Sequence, residues 1–301
     1  MKRWLIYQKE RFPLLAYIPL MFMFGFSSIS YSLHLDNPHA RFSDLSINQV
    51  ITAMVTTLFW FMLMRIADEH KDFEEDKEFR PYRPVPRGLV TLKELRIIGV
   101  FLVLIQVALS VWVDLRLLGL LALVYVWFTL MTLEFGIHKW LKARPTIYLI
   151  SHMLIMPFID LYATSVEWLP RGGAFSFGIL LYMISSFCDG TVVEVGRKLR
   201  AKENEEYGVD TYTQIWGAKK AMVVWLICMT ISGTSTVVAG FHVRVGLPIL
   251  CVLFPLYLYA AYTAIRFAKK PTPKNAKVFT IFPGVWMILM HFMLGFLPFW
   301  I

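Results

Sequence analysis

Nine apolar stretches, each near the length a helix needs to cross a bilayer, follow one another from residue 13 to residue 300, and the segments between them hold most of the charge. They cover residues 13–33, 47–66, 97–113, 117–133, 147–163, 174–188, 221–240, 246–265 and 278–300. Few folds are open to such a chain. Backbone polar groups in hydrocarbon must be satisfied within the segment, so the stretches are expected to cross as helices. The expected architecture is an all-α polytopic membrane protein, with residues 1–301 as one transmembrane domain. The composition agrees. With 57% hydrophobic and only 17% charged residues, the chain has more apolar surface than a soluble globule or a disordered chain leaves in water. The first stretch is long for a secretory signal and no small-residue cleavage site follows it, so it is read as a retained span.

The charges fix the expected orientation. With the N-terminus in the cytoplasm, 26 of the 30 Lys and Arg residues fall on the cytoplasmic side, and only Arg41, Arg116, Arg171 and Arg244 fall outside. The N-terminus is therefore expected inside and the C-terminus outside. The net charge of +9 follows from this topology and implies no nucleic-acid partner. Cys188, Cys228 and Cys251 are far apart and lie in or beside apolar runs, which reads as buried thiols rather than a disulfide framework or a metal site.

The two longest cytoplasmic loops are acidic as well as basic. The second stretch runs without a breaker into residues 67–76, so one emerging helix is expected to carry Asp68, Asp72 and Asp76 on one face. Successive carboxylates would stand about 6 Å apart, a repulsive arrangement unless a cation lies among them, and Mg2+ with its preference for oxygen ligands suits the need. Arg80, Arg83 and Arg87 follow in a proline-rich run that cannot remain helical, forming a stiff loop of forked donors fit to clamp a diphosphate. The loop after the sixth stretch carries Asp189, Glu194, Arg197, Lys198, Arg200 and Glu205, where Glu194 can also pair with Arg197 and Lys198 along a helix surface. These two regions hold 14 of the 21 acidic residues. Acids gathered at one surface argue against a cation path across the bilayer, and so against a non-enzymatic transporter.

Residues 68–76, with the downstream Arg83-Pro84-Val85-Pro86-Arg87-Gly88 run, resemble the first signature of the UbiA superfamily of intramembrane prenyltransferases. The nine stretches and the placing of the acidic loops are similar to that family along nearly the whole chain, although only the two loops carry sharp motifs. Ala67 stands where the family usually has Asn. In the second loop Glu194, Arg197 and Gly208-x-x-Thr211 suit the pattern, but the usual Asp-x-x-x-Asp pair is replaced by Ala201 and Glu205 or, one residue earlier, by Arg200 and Asn204.

The resemblance implies a Mg2+-dependent enzyme that ionises a polyprenyl diphosphate and passes the prenyl group to an aromatic or lipid acceptor, within a lipid-open cavity capped by the two cytoplasmic loops. It implies catalytic roles for Asp68, Asp72 and Asp76, which would bind metal together with Asp189, Glu194 or Glu205. Arg80, Arg83, Arg87, Lys142, Arg197 and Lys198 would meet the diphosphate. The setting implied is a plasma or inner membrane with the active site facing the cytoplasm. A terpene cyclase of the same family, which folds the cation onto its own double bonds without an acceptor, is the alternative. Among polar groups inside the stretches, Glu134 and His152 lie at the depth of a reacting head group, whereas Gln106, Asp160 and His291 read as interhelical hydrogen-bonding residues. Aromatic residues, 16% of the chain, suit a cavity that solvates an isoprenoid and its cation.

Overall fold

The computed structural model describes residues 2–301, with Ala16 described by its backbone only. The helices are α1 (Lys2–Arg11), α2 (Leu14–Asp36), α3 (Ile47–Lys71), α4 (Phe73–Phe79), α5 (Leu92–Val113), α6 (Leu117–Thr132), α7 (His138–Lys142), α8 (Pro145–Met153), α9 (Ile155–Trp168), α10 (Phe177–Arg197), α11 (Tyr212–His242), α12 (Gly246–Lys269) and α13 (Pro273–Gly295). No strand occurs among the described residues. Eight helical segments are long and apolar enough to cross a membrane, counting Pro145–Trp168 as one crossing. Helix α6, apolar but only 16 residues long, coincides with the fourth expected stretch. The protein is a multi-pass integral membrane protein.

Local chemistry explains where these helices start and bend. The Thr91 hydroxyl accepts from the Glu94 amide at 3.2 Å while the Glu94 carboxylate accepts from the Thr91 amide at 2.9 Å, a reciprocal cap that opens α5. Thr211 and Thr272 cap α11 and α13 in the same way, though with the hydroxyl half of the device alone. The Pro145–Trp168 crossing is interrupted at Leu154. Pro157 lies three residues on, and its ring crowds the carbonyl of Met153, the last residue of α8.

Two large clusters make up most of the apolar interior. One gathers Trp60, Leu102, Leu121, Ile159 and Tyr162 from α3, α5, α6 and α9. The other gathers Trp225, Ile249, Phe267, Phe279 and Trp286 from α11, α12 and α13, with Val192 and Val195 of α10. Helix α2 touches α3, α9 and α13 and so joins the two. Close approach needs small residues where backbones meet: a Cβ on Gly196 would lie 2.4 Å from the Phe279 carbonyl oxygen, so glycine lets the end of α10 seat directly on α13.

Two expected elements differ from the structure. Helix α3 ends at Lys71, and Asp72, at φ −89° and ψ 3°, separates it from the short α4. The expected single helix is therefore broken within the aspartate ladder, where continuing it would stack like charges on one face. Helix α10, by contrast, continues past residue 188 to Arg197, so Asp189 and Glu194 stand on a helix rather than in a loop. No proline interrupts that stretch, and Gly190 packs tightly enough against Met156 that a Cβ there would come within 3.0 Å of it.

Candidate active site

The ends of α3, α8, α10 and α11 meet at one end of the bundle and bring the two motifs together. Asp68 lies within electrostatic reach of Arg65 and Asp72 on its own chain segment and of Arg197 and Glu194 on α10. Its side chain is 51% exposed, and its one ion pair, to Arg65 at 3.5 Å, uses a single carboxylate oxygen. Asp72 caps the break with its backbone and makes no side-chain cap hydrogen bond. Two carboxylates one turn apart thus keep free acceptor capacity.

Asp76 is in a different environment. It is 1% exposed and held by Arg80 Nε at 2.8 Å and by Arg83 Nη1 at 2.6 and 2.8 Å, with Arg11 Nη2 at 3.9 Å. Arg80 also pairs with Glu75 at 3.0 Å. Arg87 binds Glu10 at 2.9 Å and the Tyr82 carbonyl at 2.7 Å. The arginine run expected as a free clamp is therefore spent within the protein: it folds the 80–91 segment back onto Asp76 and under α1. Tyr7 of α1 completes that layer by packing on Val85, Val90 and Leu95, and burial pushes its phenol up.

On α10, Glu194 pairs with Arg197 at 2.5 Å and Lys198 at 2.9 Å, the helix-surface pairing the spacing allows. Arg197 and Lys198 remain 54% and 38% exposed, and Arg197 lies within electrostatic reach of Asp68. The other acids expected from this motif lie elsewhere. Asp189 is buried more than a turn deeper and accepts from the Ser232 hydroxyl at 2.6 Å. Glu205 accepts from Thr211 at 2.8 and 2.9 Å. Arg200 turns to Glu206 at 2.7 Å. Lys142 stands 3.7 Å from Glu75, largely exposed.

A further group borders these helix ends, the mouth of the candidate site. Lys71 pairs with buried Glu134, donates to the Tyr148 hydroxyl at 2.5 Å and sits 4.9 Å over the Tyr148 ring. His152 stacks on the same ring with centroids 3.9 Å apart. Glu134 and Phe135 have φ of 49° and 56°, an unfavourable left-handed conformation for such side chains that delivers the Glu134 carboxylate to Lys71 and His138. Burial pushes the Glu134 carboxyl up, but Lys71 and His138 outweigh it and hold the group below the ordinary value of 4.5. The sequence marked Glu134 and His152. Lys71 and Tyr148 carried no signal beyond ordinary loop and interface chemistry.

Deeper in the bundle, Gln106 donates to the Thr56 carbonyl at 3.1 Å and accepts from Tyr125 at 2.6 Å, and His291 contacts the Tyr182 hydroxyl at 3.1 Å, as interhelical residues should. Asp160 departs from that expectation, since neither carboxylate oxygen has a hydrogen-bond partner among the described residues.

Among the described residues no group of three or more His, Cys, Asp and Glu side chains is arranged to enclose a metal ion. Asp68 and Asp72 instead offer an open pair of hard oxygen donors. That set fits Mg2+, which takes one or two carboxylates and completes its shell with water and phosphate oxygens.

A family model described as the UbiA prenyltransferase family matches residues 39–298. Among solved structures, the chain is similar to a UbiA homologue from Aeropyrum pernix K1, at 12% identity and TM-score 0.67 over 90% of this chain and 96% of that one. It is similar also to a membrane digeranylgeranylglyceryl phosphate synthase, at 15% identity and TM-score 0.64 over the full length of both. A Cd2+-bound UbiA homologue from Archaeoglobus fulgidus matches at 11% identity and TM-score 0.56, over 94% of this chain and 97% of that one. No curated protein matches the sequence.

Proposed function

The chain belongs to the UbiA prenyltransferase family, and from that premise we infer that it is a Mg2+-dependent membrane enzyme that ionises a polyprenyl diphosphate and transfers the prenyl group to an acceptor. The observation that carries this reading is the approach of Arg197, exposed at the end of α10, to Asp68, which with Asp72 keeps acceptor capacity at the end of α3. Carboxylates alone would repel a diphosphate. Carboxylates able to hold a divalent ion, faced by a guanidinium, suit one.

In this reading Asp68 and Asp72 hold Mg2+, which when bound supplies Lewis-acid stabilisation of charge on the departing diphosphate. Arg197 and Lys198 meet phosphate oxygens on the other side, and Lys142 and Lys71 add positive potential at the rim. Glu194 positions both α10 cations by pairing with them. Asp76 acts as a brace: its guanidinium cage fixes the turn after Asp72, and through it the direction of the Asp72 carboxylate. The prenyl chain lies among the helices, out of water, where the allylic cation escapes hydrolysis. The mouth faces the cytoplasm, the side on which the basic loops collect.

Incubating the purified protein in detergent with Mg2+ and prenyl diphosphates of several lengths tests the reading. Diphosphate release that requires an aromatic or lipid acceptor is the expected result. Release with a cyclic hydrocarbon or alcohol and no acceptor would make the enzyme a cyclase. No turnover with any chain length or acceptor, with the fold intact, would overturn both.

A further inference from the structure

A buried acidic group lies between α9 and α10, inside the bundle and apart from the mouth. Asp189 precedes Arg197 by eight residues on α10, so it sits about 12 Å in from the end of that helix. Asp160 of α9 and Ser186, one turn before Asp189, complete the group. The three residues are 0–3% exposed. Asp189 Oδ1 accepts from the Ser232 hydroxyl at 2.6 Å, and Ser232 accepts in turn from Trp286 Nε1 at 3.1 Å. That chain fixes the carboxylate and leaves Oδ2 without a partner. Both Asp160 oxygens and the Ser186 hydroxyl beside them are also without one. Four buried oxygens thus keep unspent lone pairs.

Charge makes the arrangement more demanding than a missing hydrogen bond would. Among the described residues no lysine, arginine or histidine pairs with either carboxylate, and the charge that acts on Asp160 is that of Asp189. Glu167, another buried acid of α9, shows the contrast, since Arg171 pairs with it and Ser32 donates to it. Two desolvated carboxylates with no such partner repel each other and call for a cation. Water brings donors but no charge. The closed setting also limits size and hydration: Mg2+ gives up its waters reluctantly, and Ca2+ takes more oxygens than the four on offer.

We propose that Asp160, Asp189 and Ser186 bind one dehydrated Na+ that ties α9 to α10. The ion balances one carboxylate, and the other stays neutral with a proton that it donates within the group. The site is separate from the paired aspartates of the mouth, and its test needs no turnover, so its outcome is independent of the catalytic reading.

Thermal unfolding of the full chain in detergent with EDTA reads the site, with sodium chloride exchanged for choline chloride at constant ionic strength. The melting temperature is expected to rise by about 5 °C at about 0.1 M Na+, and by much less in potassium chloride. Asp160→Asn and Asp189→Asn should each abolish the sodium shift. Both keep the side-chain shape and remove a repulsive charge, so in choline chloride they are expected to melt no lower than the wild type. Ser186→Ala should raise the Na+ concentration needed for half the shift about fivefold, while Glu167→Gln, outside the group, keeps the full shift. Equilibrium binding of radioactive sodium is expected to reach one ion per wild-type chain and none in either Asn variant. A melting temperature indifferent to Na+, which would leave protons alone to neutralise the pair, an equal shift in potassium chloride, or a sodium shift that survives both Asn variants would overturn the assignment.

Discussion

Asp72 and Asp76 are four residues apart in sequence and one hydrogen bond apart in the backbone, the Asp76 amide donating to the Asp72 carbonyl at 2.7 Å, yet their surroundings are opposite. Asp76 is buried and its oxygens are filled by guanidinium groups. Asp72, and Asp68 a turn before it, keep acceptor capacity unspent at the mouth. The contrast teaches that an evenly spaced row of like residues need not share a task. A carboxylate saturated by its own protein stabilises the fold, whereas one left short of donors is available to a ligand.

That contrast breaks most sharply under substitution. Asp68→Ala or Asp72→Ala is expected to lower turnover about a thousandfold with the melting temperature nearly unchanged, measured by diphosphate release and thermal unfolding in the same detergent. Asp76→Ala should reverse the pattern. It leaves buried guanidinium groups uncompensated and is expected to cost about 3–5 kcal/mol of stability, visible as a large fall in melting temperature. If Asp76→Ala instead removed activity and spared stability, the division of labour proposed here would be wrong.

Smaller effects sharpen the picture. Arg197→Gln removes an exposed cation opposite Asp68, so KM for the prenyl diphosphate should rise about tenfold while stability holds. Chelation by EDTA should silence the wild-type enzyme, and Mg2+ should restore it, without a change in helical content by circular dichroism, because Asp76 and not the metal secures the turn. The smallest effect concerns Glu134. Its carboxyl is held below 4.5 in the folded protein, so the stability it contributes is present above that value and disappears as the pH falls through the lowered one. Glu134→Gln should therefore lose about 1 kcal/mol near neutral pH and flatten the acid limb of a stability profile measured by thermal unfolding.

Much of the molecule was legible as sequence. Apolar run lengths located the crossings because a bilayer imposes one helix length on every span and forbids unsatisfied backbone. The two charged segments stood out because charge is scarce elsewhere in the chain. Within them, Glu194 paired with Arg197 and Lys198 as i+3 and i+4 neighbours on a helix can. Less legible was the partner of each charge. Arg80, Arg83 and Arg87 read as a free clamp, since nothing local shows that the chain folds back to place them on Asp76 and Glu10.

The sequence by itself determined the solvent, the order of the apolar helices, and the two segments where chemistry could reside. Those are properties of local composition, periodicity and helix length. Only the tertiary structure decided that Asp76 is caged while Asp68 and Asp72 stay open, that Lys71, Glu134 and Tyr148 assemble beside them, and that α10 carries Asp189 away from the mouth. Each is a matter of which distant side chain arrives within a few ångströms, and the strength of a charge or hydrogen bond depends on that distance and on burial rather than on residue type.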